Sequence, residues 1–390
     1  MRNHENRTTI MGIPVNNLRM NETVDRVMKM VDQYRIDHKK RLVATANVDF
    51  IINAHNRKAK QNGGKLLNIL RKADLVTADG MPLVWLSKIL GRPLKERVTG
   101  ADMVPALARK AAKEGKSIYL FGGNNGSAKK TAEILSEENP MLKIAGVSSP
   151  MIDMEDNLEN KIEIARINIT KPDVLLIALG NPKQEIWHER YKKYMKVPVS
   201  IGIGGTFEFI AGDTSRAPEW MQKHGLEWMY RMMQDPGRLI KRYMIGLFAF
   251  NLMVLPQIIM NSLTVFARRF ISTPKKASPQ KLGVIGMTAQ PIWHHLSRIP
   301  GVWLEHNPAT DTQLLKINFQ DVRILTALDI FNLVNALFVA RQMNMIFYTY
   351  NIGWLPGFLM RVYKVYDLIH DVEVYRPLNI APHSAELAAA

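Results

Sequence analysis

The chain has 390 residues, 47% of them hydrophobic, with no cysteine and a formal net charge of +17. Its length exceeds the usual size of one domain, so more than one is expected, and the lack of cysteine excludes disulfides, thiolate metal sites and a cysteine nucleophile. The charge is lopsided: residues 276–390 carry nine Lys and Arg against eight Asp and Glu, which leaves +16 on the first 275. The leading residues, MRNHENRTTIMGIPVNN, lack the apolar core of a secretory signal, so the bulk of the chain is expected in the cytoplasm.

Six short apolar runs follow in chain order: Arg41–Ala46 (RLVATA), Leu75–Ala78, Ser117–Phe121 (SIYLF), Lys143–Val147, Val174–Leu179 (VLLIAL) and Val199–Ile203 (VSIGI). Each suits a buried strand, and amphipathic helical patterns lie between several of them, as at Ala101–Glu114 and Ser127–Glu138. Repetition of strand, helix, strand predicts an α/β layer architecture with a parallel sheet. Ligands of such sheets bind at the C-terminal ends of the strands.

The unusual residues collect at those ends. Thr45-Ala46-Asn47 closes the first run, Gly122-Gly123-Asn124 the third, Gly180-Asn181-Pro182-Lys183-Gln184 the fifth and Gly204-Gly205-Thr206 the sixth. Glycine allows close backbone approach and helix N-termini favour anions, so a diphosphate is the natural ligand, although each loop taken singly also reads as a tight connection. The stretch FGGNNGSAKKTAEIL matches neither GxGxxG nor the Walker spacing, which disfavours a dinucleotide enzyme or a P-loop NTPase. At the second run, ADLVTADGMPLVW places Asp79-Gly80 where a strand ends and Pro82 where a helix begins. From this pattern a turn aspartate and a functional carboxylate both stay open. The ten histidines are scattered and no D-x-D motif occurs, so no metal site is expected.

Between Pro236 and Leu304 there is no acidic residue, while Arg238, Lys241, Arg242, Arg268, Arg269, Lys275, Lys276, Lys281 and Arg298 are basic. They bracket the apolar stretch Met244–Ala267. A spanning helix would carry Asn251, Pro256, Gln257 and Asn261 into lipid, and both flanks are basic, so the positive-inside rule gives no orientation. In-plane or re-entrant attachment to an anionic surface accounts for both flanks, since Lys and Arg near such a leaflet contribute about 1 kcal/mol each; a true span and a buried helix pair are the alternatives. Lys241, Arg242, Arg268 and Arg269 are the expected membrane contacts. No nucleic-acid-binding motif accompanies the charge. STPKKASPQ, residues 272–280, then reads as a linker, and residues 314–369 read as strand, long helix, strand (MIFYTY) and a helix after Pro356.

Taken together, T-x-N at Thr45, ADLVTADGMPLVW, ERVTGADMVPAL, YLFGG, PDVLLIALGNPKQEIW, GIGGTFEFIAG and RAPEWMQKHGLEWMYRMMQDPGRLIKRY resemble, in that order, the WecG/TagA/CpsF family of bacterial glycosyltransferases. The resemblance runs from about Ile10 to Tyr243. It implies a Rossmann-like domain that transfers an N-acetylmannosamine-type sugar, with inversion, from a UDP-sugar donor to a sugar on a polyprenyl diphosphate lipid, without a cofactor. Asp79 then becomes the expected general base, with Thr45 and Asn47 beside it to orient hydroxyls. Arg97, Thr99, Gly122, Gly123, Asn124, Gly180, Lys183, Gln184, Gly204, Gly205 and Thr206 become the expected donor and diphosphate site, with Asp102 either part of it or a helix cap. Arg231 and Arg238 belong to a C-terminal appendage that the resemblance brings over the site, where cations would stabilise the leaving diphosphate. The chain departs from the family at Ala46 (usually proline), Asn181 (usually small) and Glu208 (usually aspartate), which bears on the donor sugar.

The C-terminal region is similar to STAS domains, with Thr326-Ala327 where a phosphorylated serine can stand, and such a domain implies a protein partner. The expected organisation is therefore a glycosyltransferase domain at 1–243, an apolar membrane-associating segment at 244–271, the linker at 272–280, a STAS-like domain at 281–380 and a tail at 381–390. The expected location is the cytoplasmic face of the inner membrane. A catalytically lapsed, nucleotide-sugar-binding scaffold is the rival reading. A soluble UDP-sugar epimerase or hydrolase would not need the basic apolar tail.

Overall fold

A computed structural model describes residues 7–56, 63–124, 126–152, 154, 158–267, 302–307, 312–319, 322, 325–342, 346–350 and 352–365. The linker at 272–280, the tail at 381–390, Arg268 and Arg269 lie outside the described residues. The chain divides into two compact units, Met1–Val265 and Phe266–Ala390.

The first unit opens with an antiparallel hairpin, β1 (Arg7–Ile10) and β2 (Ile13–Asn16), which was not expected from the sequence. Its turn is made by Met11 and Gly12, both at left-handed φ (49° and 74°), the geometry that lets two strands fold back without splaying. Six further strands form one parallel sheet: β3 (Arg41–Ala46), β4 (Leu75–Ala78), β5 (Ser117–Gly122), β6 (Lys143–Ser148), β7 (Val174–Ala178) and β8 (Val199–Gly202). Their order is β4-β3-β8-β7-β5-β6. These are the six apolar runs, each within a residue of its expected boundary. The hairpin lies beside the outer strand β4, where the Asn16 side-chain carbonyl accepts the Val76 N–H at 2.9 Å. An otherwise open sheet edge is thereby partly occupied.

Helices α1 (Met20–Asp37), α2 (Val48–His55), α3 (Gly63–Lys72), α4 (Met81–Ile89), α5 (Gly100–Glu114), α6 (Ser127–Glu138), α7 (Leu158–Thr170) and α8 (Lys183–Tyr191) connect the strands. Alternate strand residues feed two cores. Ile118 and Leu120 of β5 and Val174 and Leu176 of β7 pack with Val27 of α1 and Met103 and Leu107 of α5. Tyr119, Phe121, Leu175 and Ile177 point to the other face, against Ile164 and Ile167 of α7 and Trp187 of α8. A strand buried on both faces has no polar side, which is why these runs read as uniformly apolar.

After β8 come four helices: α9 (Thr206–Ile210), α10 (Glu219–Lys223), α11 (Glu227–Gln234) and α12 (Pro236–Ala267). The last is continuous through Pro256, and at 1.5 Å per residue it is about 48 Å long. From Leu239 to Phe266 it is long and apolar enough to cross a membrane by length and composition, with a mean hydropathy of 1.8. Its two faces are unlike. Leu239, Phe250, Val254, Gln257 and Thr264 are buried, whereas Met244, Phe248, Leu252, Leu255, Ile259, Leu263 and Phe266 are exposed. On the inner side, Arg242 pairs with Asp49 of α2, and Asn261 donates to the Ile89 carbonyl at the end of α4, at 3.2 Å. The helix thus lies along the unit with Leu239, Phe250 and Val254 inward beside a few polar contacts and a second set of large apolar side chains outward, so it is apolar on both faces, unlike an ordinary amphipathic helix.

In the second unit, β9 (Val302–Asn307) and β11 (Ile346–Tyr350) flank β10 (Thr312–Asn318), antiparallel and parallel to it respectively. Between β10 and β11 runs α13 (Ala327–Gln342), capped by Thr326, whose N–H and hydroxyl both bond the Asp329 carboxylate, at 2.8 and 2.7 Å. The last helix among the described residues, α14 (Trp354–Val362), begins two residues ahead of Pro356, because proline is tolerated in a first turn.

Candidate active site

The C-terminal ends of β3, β4 and β8 open into a cleft of about 930 Å³, closed on the far side by α11 and the first turns of α12. Its floor carries Thr45, Asn47 and Asp79 from the strand ends and Gly204, Gly205 and Thr206 from the turn into α9. Arg97, Phe209, Glu227, Arg231, Tyr243 and Leu247 form walls. The volume is typical of a site for a small organic ligand.

Asp79 sits directly after β4, fixed by its N–H on the Ala46 carbonyl at 2.7 Å. Loss of water around it pushes its carboxyl up to about 6 from an ordinary value of 3.8. Nearby Glu227 adds to the rise, while Arg231, Arg97 and the Gly100 N–H oppose it. Glu227 differs, because it is held by Arg97 at 2.9 Å and by Arg231 at 3.3 Å. Two of the cleft's carboxylates therefore divide: Asp79 is poised to exchange a proton near neutral pH, and Glu227 is held in ion pairs.

Three of the guanidinium groups in or beside the cleft come from different places. Arg97 precedes α5, Arg216 precedes α10, and Arg231 lies on α11 with its guanidinium 4.2 Å from the Phe209 ring centre. Arg216 bonds Asp102 at 2.6 Å. Burial alone would raise the Asp102 carboxyl, but its bonds from Arg216 and from the Thr99 hydroxyl hold it below the usual range. Thr99 also caps α5 by accepting the Asp102 N–H, at 3.1 Å. Thr99 is thus the cap, Asp102 stands in the first turn that it caps, and the Asp102 carboxylate anchors Arg216.

Several expected ligands lie under the cleft instead of in it. Gln184 is buried; its side-chain carbonyl accepts the Gly204 N–H at 3.0 Å, and its amide donates to Glu185 at 2.7 Å. Glu185 is itself buried, which pushes its carboxyl up to about 7, and it receives a second amide bond from Asn181. A side chain at Gly202 would come within 2.6 Å of both Gln184 and Glu185, so glycine is what allows this packing. Gly122 and Gly123, at φ 96° and 79°, fit against the Ala178 carbonyl and Ser127. They shape the loop, and their neighbour Asn124 reaches the cleft, with its N–H on Glu208 at 3.1 Å. Lys183 is exposed and lies outside the cleft. The Thr45 hydroxyl donates to the Gly202 carbonyl at 2.9 Å, tying β3 to β8. Asn47 caps α2 by accepting the Phe50 N–H, at 3.3 Å.

Gly180 and Asn181 line the cleft as expected. Arg242, expected at lipid headgroups, lines it too while paired with Asp49, and Lys241 is exposed. The side chain of Arg238 lies outside what is described. Arg216, Glu227 and Phe209 were given no role from the sequence, although all three stand in motif blocks quoted above. Among the described residues no group of three or more His, Asp or Glu could hold a metal ion; positive charge in the cleft comes from guanidinium groups.

A carboxylate able to take a proton, facing arginines able to receive negative charge, is the site of a group-transfer enzyme with an anionic leaving group. The chain matches the model of the glycosyl transferase WecG/TagA/CpsF family over residues 8–263, and it belongs to that family. A Bacillus subtilis protein is 31% identical over 231 residues, 59% of this chain and 84% of its own length. One from Bacillus spizizenii is 30% identical over 227 residues, 58% and 84% of the two chains. One from Staphylococcus aureus is 26% identical over 251 residues, 64% and 94%. All three are named N-acetylglucosaminyldiphosphoundecaprenol N-acetyl-beta-D-mannosaminyltransferase.

Proposed function

We propose that the protein is an inverting glycosyltransferase. It moves an N-acetylmannosamine-type residue from a UDP donor to N-acetylglucosamine carried on undecaprenyl diphosphate, in the assembly of a cell-surface polysaccharide or glycolipid. Asp79 takes the proton of the acceptor hydroxyl as that oxygen attacks the anomeric carbon, and the bond to UDP breaks on the opposite face. Arg97 and Arg231 receive the charge that develops on the departing diphosphate. The observation that carries this reading is Asp79: a carboxyl raised to about 6 at the strand ends, with those two arginines close enough to act on it. The names of the relatives support the choice of acceptor and of transferred sugar.

The donor and acceptor act at the cytoplasmic face of the membrane, to which the enzyme attaches peripherally through α12. The exposed apolar stripe and the basic residues around it support an in-plane position. The second unit is a STAS-like module that receives a protein partner; its order of strand, helix, strand, helix supports this.

Incubating the purified chain with radiolabelled UDP-sugars and a short-chain polyprenyl diphosphate bearing N-acetylglucosamine tests the reaction. Transfer is expected from the N-acetylmannosamine donor with inversion. Label released only as free sugar, or no turnover with any donor, overturns it.

A further inference from the structure

Glu227 is the only carboxylate of α11's first turn, and three arginines from separate parts of the chain converge on it. Arg97 approaches to 2.9 Å, Arg231 to 3.3 Å and Arg216 to 3.8 Å. The Glu227 side chain is 13% exposed, so these contacts are shielded from water far more than surface ion pairs are. Arg97 and Glu227 are 130 residues apart in sequence and come from different elements that line the cleft. Arg231 stands one helical turn beyond Glu227 on α11. One carboxylate therefore joins a guanidinium of the sheet-bearing body to a guanidinium of the appendage, over Asp79.

We propose that Glu227 is a positioning residue for the transfer reaction: it brackets Arg97 and Arg231 on one carboxylate, latches α11 across the cleft and presents both guanidinium groups to the departing diphosphate. The inference rests on the reading of Asp79 as base and of the arginines as leaving-group stabilisers. A guanidinium has five N–H donors in a fixed plane. Binding Glu227 through one edge fixes that plane and leaves other donors for phosphate oxygens. The charges balance at the start: Arg97, Arg216 and Arg231 face Asp102, Glu227 and the ionised Asp79. Once Asp79 has taken the acceptor proton a net of +1 remains, so the positive charge appears as the diphosphate departs.

The same carboxylate acts on the base. The charged groups facing Asp79 are Arg97 from before α5 and Glu227 and Arg231 from α11, with the Gly100 N–H at the start of α5 and Arg216 in electrostatic reach. Glu227 raises the Asp79 carboxyl and the two arginines lower it. A bracket that holds the arginines therefore also helps keep the base ready to accept a proton near neutral pH.

The test is steady-state kinetics of the full chain with UDP-sugar and a soluble short-tailed acceptor, for wild type, Glu227→Gln, Glu227→Asp, Arg231→Ala and the double variant Glu227→Gln/Arg231→Ala. Glu227→Gln is expected to lower kcat about 10- to 100-fold without raising the donor KM, because the arginines stay free for the diphosphate but lose their fixed planes. It should also move the acidic limb of the kcat/KM profile to lower pH. Glu227→Asp, which keeps the charge, should fall between wild type and Gln and leave the limb near its wild-type place; it serves as the informative variant if Gln unfolds the appendage. The double variant should be little worse than Arg231→Ala alone, since both lesions break one unit. A normal kcat in Glu227→Gln, an unmoved limb, or losses that multiply in the double variant each overturn the proposal. If wild type shows no acidic limb, or Asp79→Asn remains active, the underlying reading fails instead.

Discussion

The side-chain carbonyl of Gln184 holds the N–H of Gly204 at 3.0 Å, so the first turn of α8 braces the turn after β8 from below the cleft. Gln184 is buried and its amide is engaged by Glu185. Its effect on the reaction is therefore expected through the shape of the Gly204-Gly205 turn. Gln184→Ala leaves the Gly204 N–H without a partner and takes one of its two side-chain amide partners from the Glu185 carboxyl, which keeps the bond from Asn181; the buried N–H left unsatisfied costs about 1–3 kcal/mol. A lowered melting temperature together with a raised donor KM is expected. A variant that loses donor binding with unchanged thermal stability would show direct contact instead.

Asp79→Asn keeps the size of the side chain and removes its basicity. Transfer is expected to fall at least about 100-fold, while UDP-sugar affinity, measured by calorimetry, stays near that of wild type. An active Asn variant would remove Asp79 from the reaction.

The acidic limb of the wild-type kcat/KM profile is expected near pH 6, where the Asp79 carboxyl titrates, with activity lost below it as the base becomes protonated. Arg231 lowers that carboxyl, so Arg231→Ala should move the limb to higher pH, opposite in sign to the shift from Glu227→Gln. Arg231→Ala should also lower turnover about 100-fold on a soluble acceptor, because lost stabilisation of a leaving diphosphate does not depend on lipid. A defect seen only with acceptor in liposomes would place Arg231 at headgroups.

Binding of the purified chain to liposomes should require anionic lipid and weaken as salt screens the basic residues. Replacing Phe248, Leu252 and Ile259 on the outer stripe of α12 by serine should release the chain to the soluble fraction and spare turnover on a soluble acceptor. Cosedimentation of the triple variant equal to wild type would count against α12 as the contact.

The strands were legible because they are short apolar runs, ended by Gly, Asn or Asp within two residues in all but β6, the half-exposed edge strand that runs into Ser149-Pro150. Burial on both faces of β5 and β7 makes that signal strong. The β1–β2 hairpin was not, since four-residue strands around Met11-Gly12 carry little periodicity and their seat beside β4 depends on a side chain, Asn16, meeting Val76. Asp79 was legible as a corner carboxylate and gained its role from the motif blocks. The Arg97–Glu227 pair was not, because nothing local in Glu227 reports a partner 130 residues away. For Gln184 the motif pointed to the right loop but not to the direction of the side chain, which only the packing against Gly202 decides.

The helix α12 is a rod with a phase. Near its start Tyr243 and Leu247 face the cleft while Met244 and Phe248 face outward, and the outward stripe continues to Phe266. Each residue turns an α-helix by about 100°, so one residue inserted between Leu247 and Leu252 would swing the outer stripe toward the flank of the unit and leave the cleft wall untouched. Two full turns, about seven residues, would nearly restore the alignment. In a membrane-attached enzyme the spacing between cleft wall and stripe would act like the thread of a screw, setting the direction in which the cleft opens when the stripe meets lipid.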